Sequence, residues 1–284
     1  MAASTTTTLT ELLPSIVAEA LFVANERSIM RGLVRNYSLG QGQGKTITVP
    51  VYPKSTAAGL YEGVPLTNTA IETTGVTLTL GEVGLMTSIS DLAMVASATN
   101  VVADIGRLFG EAIARKIDLD LTALFGSFSA GVGDATTNVA ITPADIFKAV
   151  AKLRAQGYDT TADCAIVLHP MIAYDLKSTI TSTFAAPASM IGNSALENGY
   201  IGMLAGVPVY ETSNIANTGT AGDYNGAVFH RDALGLALQA DIKIETQRQA
   251  ALRGWDIVGS AVYGQGILNN AAAQYLSFDS SIQA

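Results

Sequence analysis

Asn100-Val-Val-Ala-Asp-Ile-Gly-Arg-Leu-Phe-Gly-Glu-Ala-Ile-Ala-Arg-Lys-Ile-Asp-Leu-Asp-Leu-Thr-Ala-Leu-Phe125 is the stretch whose periodicity decides the fold. Val101, Ile105, Leu108, Phe109, Ala112, Ile113, Ile117, Leu121, Leu124 and Phe125 recur at three- and four-residue spacing. That spacing predicts one apolar helix face over about seven turns. Asp104, Arg107, Glu111, Arg115 and Asp118 fall mostly off that face. The predicted helix is roughly 38 Å long, beyond the usual length of a globular helix. In a chain of 284 residues it reads as a spine across which other elements pack.

Upstream of the spine, residues 1–10 are a Thr-rich tail without a pattern. Residues 11–35 carry a helical stripe: Leu12, Leu13, Ile16, Val17, Ala20, Leu21 and Ala24. Pro14 suits the first turn of that helix. Arg27, Arg31 and Arg35 follow at four-residue spacing and predict a basic line on one face. Gly40-Gln-Gly-Gln-Gly44 ends the helix. Ile47, Val49 and Val51 then alternate with Thr46, Thr48 and Pro50, and the prolines make this an edge strand. Residues 54–75 have no sustained period, and a second strand returns at 76–80 and runs loosely from 83 to 89. Two strands bracketing about twenty unpatterned residues predict a long hairpin arm whose tip meets a partner.

Downstream, Thr142, Pro143 and Asp145 open a helix with capping-box chemistry, and Gly157 closes it. Cys164-Ala-Ile-Val-Leu168 is a buried strand, and His169-Pro170 opens a short helix over 171–177. Residues 179–200 show little pattern. Strands are expected at 207–211, 227–230, 241–245 and 254–263, with a short apolar segment at 233–238 and a last apolar run at 275–278. Long helix, αβ units and separated strands together make the fold class α+β.

Composition narrows the function. Charged residues are 14% of the chain, and 43 Ala, 29 Thr and 27 Gly take their place. About 25% charge is usual in a soluble domain. So charge-poor a surface predicts that other subunits cover much of it. A net charge of −8 argues against nucleic-acid binding as the main task. One cysteine excludes an internal disulfide. The first residues lack the pattern of a signal peptide, and no apolar run is long enough to span a membrane.

Motifs that suggest chemistry fail in context. Gly40–Thr46 resembles a phosphate loop, but Leu39 stands where the first Gly is needed and a strand follows instead of a helix. Ser127-Phe-Ser129-Ala-Gly131 lacks the first Gly of a nucleophile elbow. Cys164 and His169 are five apart along a strand, so their side chains point to opposite sides. His230 is the only other histidine, and no spacing assembles a metal site. Asp118 and Asp120 do not share a helix face. No catalytic, cofactor-binding or metal-ligating residue is expected.

The order of elements resembles the major capsid protein of tailed bacteriophages, the fold first seen in the phage Hong Kong 97. The resemblance covers nearly the whole chain and rests on element order and composition. It implies an N-terminal arm at 1–40. It implies a peripheral domain at 41–138 and 239–264, with the extended loop at about 54–75 and the spine at about 100–125. It implies an axial domain at 139–238 and 265–284. The implied function is self-assembly, as hexamers and pentamers, into an icosahedral shell around double-stranded DNA held without sequence-specific binding. Implied partners are further copies of the chain, a portal and a decoration protein, with assembly in the host cytoplasm and a final place in the virion. Met1 precedes the spine by only about a hundred residues, so no scaffolding segment is expected and a separate scaffolding protein is. Arg27, Arg31, Arg35, Lys54, Leu60, Tyr61 and Glu62 are the candidate intersubunit contacts. No motif marks Lys54, the arm's lysine, for crosslinking. The alternative is a shell subunit of an encapsulin-like nanocompartment, separable by the particle's contents.

Overall fold

The spine stripe forms helix α3 (Val101–Thr122) in the computed structural model. That structure describes residues 28–40, 42–52, 57, 59, 62–63, 73–96, 101–133, 139–160, 163–183, 202–218 and 222–282. Ile105, Phe109, Ile113, Ile117 and Leu121, each four apart, are all buried. Every such side chain contributes about 1.5–3 kcal/mol when taken from water. Asp118 is buried with them and does not lie off the face. The α-helix stops at Thr122, short of Phe125, and a 3₁₀ turn at Phe125–Ser127 follows. Phe125 packs 5.7 Å from Phe229, centroid to centroid, which anchors the end of the spine in the second sheet.

Two sheets share this core. The first has the order β1 (Arg35–Ser38), β10 (Leu234–Gln249), β11 (Gly254–Ile267), β4 (Gly81–Ser90). β1 is parallel to β10, and the other neighbours are antiparallel. Gly259 lets the spine approach this sheet: a Cβ there would lie 2.7 Å from the Phe109 ring. The second sheet has the order β5 (Gly131–Val132), β12 (Ala273–Asp279), β9 (Asp223–His230), β6 (Cys164–Leu168), β8 (Val207–Glu211), β7 (Met203–Leu204). All five residues of β6 are buried, as their apolar run predicts. Helices α4 (Pro143–Ala155) and α5 (Pro170–Thr183) accompany this sheet. At the start of α4 the Asp145 carboxylate accepts from the Thr142 N–H at 3.1 Å and its hydroxyl at 2.6 Å. Gly157, at φ 77°, ends it in the left-handed conformation that glycine adopts without strain.

A two-stranded antiparallel ribbon, β2 (Thr46–Val51) with β3 (Thr74–Thr79), forms the base of the expected arm. Leu78 and Leu80 tie it to the first sheet in a small second core with Ala237 and Leu268.

Several expectations are corrected. In the described part of 11–35 the chain is helical only over α1 (Met30–Leu33), and Arg35 opens a strand, so Arg31 and Arg35 do not share a helical line. The apolar segment 233–238 and the strand 241–245 belong to one strand, β10, whose register shifts at Leu238/Ala240 and Ala240/Lys243 hide its continuity. α5 runs six residues past 177 because Ser and Thr there, though poor formers, continue a turn already nucleated. β4 is a regular ten-residue strand where a loose one was expected.

Candidate functional site

At the N-terminal joint, the buried Asp118 carboxylate gathers four donors. Its Oδ1 accepts from the Ser28 hydroxyl at 2.8 Å and the Met30 N–H at 3.2 Å. Its Oδ2 accepts from the Ile29 N–H at 3.2 Å and the Asn214 amide at 3.4 Å. Burial pushes this carboxyl above the usual range, and the four donors pull it back. Asp118 therefore locks residues 28–30 onto the spine.

Past this lock, Arg31 pairs with Asp241 at 3.1 Å and Arg35 pairs with Asp232. Both candidate contacts are thus joined to β10 or the turn before it within the same chain. Glu62 lies exposed in a turn. Arg27, Lys54, Leu60 and Tyr61 lie outside the described residues. Sequence reasoning missed Asp118, although its position three residues before Leu121 of the apolar stripe was the available signal. It also missed Asp175, whose buried carboxylate accepts from the Ser281 N–H at 2.8 Å and holds the C-terminal segment.

At the arm base, the glycine-rich break adopts two left-handed glycines, Gly42 and Gly44, and leads into β2. That strand removes the phosphate-loop reading, as its context predicts. The Lys45 carbonyl accepts from the Leu80 N–H at 2.8 Å, and the Gly44 carbonyl accepts from the Gln239 amide at 3.4 Å. Cys164 is buried, and burial pushes its thiol up to about 11. His169 stacks on Tyr224 at 3.7 Å, and its Nδ1 accepts from the Met171 N–H. Both are structural. Among the described residues no His, Cys, Asp or Glu cluster suits a metal ion.

The surface carries large apolar groups. Leu92 and Leu252 are 77% and 68% exposed and share a shallow concavity beside the β10–β11 turn. Arg248 braces that turn through a bidentate pair with Asp91, at 2.6 and 2.7 Å, and lies 5.2 Å over Trp255.

A family model described as phage capsid protein matches residues 73–275, from the returning strand of the arm base, β3, into β12. The chain belongs to that family. It is a structural protein of a virion shell, and its major-capsid fold is that of Hong Kong 97. No curated protein matches the sequence. Among solved structures, the capsid of cyanophage P-SCSP1u superimposes with a TM-score of 0.71 at 19% identity, covering 89% of each chain. Mycobacterium phage Che8 gives 0.69 at 21% identity, covering 87% of this chain and 90% of the other. The holo-SrpI encapsulin complex from Synechococcus elongatus gives 0.61 at 13% identity, covering 90% and 89%. Among the described residues no helix is long and apolar enough to cross a membrane.

Proposed function

We propose that this capsid protein builds an icosahedral shell, from hexamers and pentamers, around the double-stranded DNA of a tailed phage. The observation that supports it most is the family match spanning spine, arm base and both sheets. The four-stranded sheet with the spine is the proposed peripheral domain, and the six-stranded sheet with α4 and α5 the axial one. Strands β10 and β11 run through positions 239 and 264, and the proposed boundary is drawn at their outer ends, 234 and 267. The strands at 35–38, 46–51, 74–79 and 81–90 all pair within the described chain, which supports reading them as shell and not as removable scaffold. A separate scaffolding protein guides the shell, and a portal and a decoration protein complete it. Glu62, with Arg27, Lys54, Leu60 and Tyr61, contacts neighbouring copies, while Arg31 and Arg35 first hold their own chain together.

A net charge of −8 suits a container whose wall does not grip its contents. The experiment is the content of particles purified from the cells that produce the chain. Nuclease-protected double-stranded DNA is the expected result. An enzyme cargo without DNA overturns it in favour of a nanocompartment.

A further inference from the structure

β4 is the one long sheet edge in the described chain with nothing to blunt it. β1 covers only Gly235–Leu238 of β10; the rest of that edge of β10 is long but interrupted by register shifts and carries Lys243, Glu245 and Arg248, while in the second sheet the edge strands β5 and β7 have two residues each. In the arm, Leu80 N–H donates to Lys45 O, so alternation turns the Pro50 nitrogen to the outside of β2, where it offers no donor. Strand β4 has ten residues, a register on β11 unbroken from Gly81 to Ser90, no Pro, no Lys and a single charge, Glu82. Native edges ordinarily carry Pro, Lys or a bulge to prevent pairing with another chain.

The direction of its backbone groups follows from one bond. Asp91 N–H donates to Arg253 O at 2.8 Å, and Ser90 stands opposite Gly254. Alternation then turns Ile89, Thr87, Leu85 and Val83 toward β11, and Ser88, Met86, Gly84 and Glu82 outward. Among the described residues no strand pairs with that outward edge.

We propose that β4 pairs antiparallel with β4 of a second copy, across a two-fold axis centred on Met86. This rests on the shell reading. In that register Met86 faces Met86 of the partner subunit, and Gly84 faces Ser88. Glu82 meets Ser90, so no like charges oppose each other. The Met86 side chain is 63% exposed and packs on its counterpart. Such a contact is isologous and closes on itself. It joins two four-stranded sheets into one of eight strands across the subunit boundary.

The test uses particles assembled from the full chain. Directly opposed residues of a narrow pair have Cα atoms about 5.5 Å apart, inside the range a disulfide spans. The native Cys164 is buried and is a weak competitor. Oxidised Met86→Cys particles are expected to run as covalent dimers on a non-reducing denaturing gel, and Thr87→Cys particles as monomers. Met86→Lys places two lysines face to face on an exposed position, and the particle yield falls about tenfold or more while the free subunit melts as before. Intact Met86→Cys shells that stay monomeric on oxidation overturn the pairing and leave the shell reading standing. So does a dimer that needs Thr77→Cys together with Met86→Cys, which assigns the edge to the arm of a neighbour. Failure of the unmutated chain to form particles under any assembly condition overturns the shell reading itself.

Discussion

Asp118 shows how one residue serves both folding and assembly. All four of its partners are donors, so only a carboxylate with two accepting oxygens satisfies them. Asp118→Asn turns an amide toward two of those donors. The expected loss is about 1–3 kcal/mol, since buried donors are left unpaired. It is read as a lower urea midpoint at an unchanged slope. His169 supplies a pH dependence. Burial holds its pKa below the ordinary value of 6.5. Below about pH 6.5 the unfolded chain therefore takes up a proton that the folded chain resists. Its contribution is complete above that pH and is lost as the pH falls toward the lowered folded value. The melting temperature is expected to drop between pH 7 and 5, and to drop less in His169→Asn. An equal drop in both proteins contradicts the assignment. Neither residue was legible from its identity alone. Asp118 reads as solvated until the stripe is counted through it, and His169 reads as a turn residue until Tyr224 arrives from a distant strand.

At the scale of elements, the periodic segments were the legible ones. The spine, α4 with its Thr142 and Asp145 cap, and the buried strand β6 all follow from local spacing and cap chemistry. The β2–β3 ribbon followed from two alternating runs around an unpatterned gap. What escaped were elements whose limits are set by distant pairing. β10 reads as two pieces because its bulges break the alternation, and only β11 shows that it is one strand. The spine's close seat on the sheet depends on Gly259, a position that sequence marks only as a glycine in a strand. Gly259→Ala drives a Cβ into the Phe109 ring. Overpacking of this kind costs about 1–3 kcal/mol. Phe109→Leu in the same chain is expected to recover part of that loss, and a double-mutant cycle measures the coupling. Strict additivity of the two changes contradicts the close approach.

The whole molecule joins two sheets through one helix and leaves a long strand edge and large apolar side chains uncovered among its described residues. A charge-poor composition first suggested that copies cover this surface, and the exposed Leu92, Leu252 and Met86 agree. Element order carried the fold class and the family likeness. The interfaces were not legible in it, because which edge meets which neighbour depends on the folded shape of two copies. Met86 illustrates this: a methionine in an alternating strand is ordinary in sequence and becomes a contact only when the strand is seen to end the sheet. The most direct test of the account is electron microscopy of the purified chain under assembly conditions, with the proposed separate scaffolding protein supplied. The account predicts closed icosahedral particles of uniform size. Dispersed monomers, or open aggregates without symmetry, would contradict it.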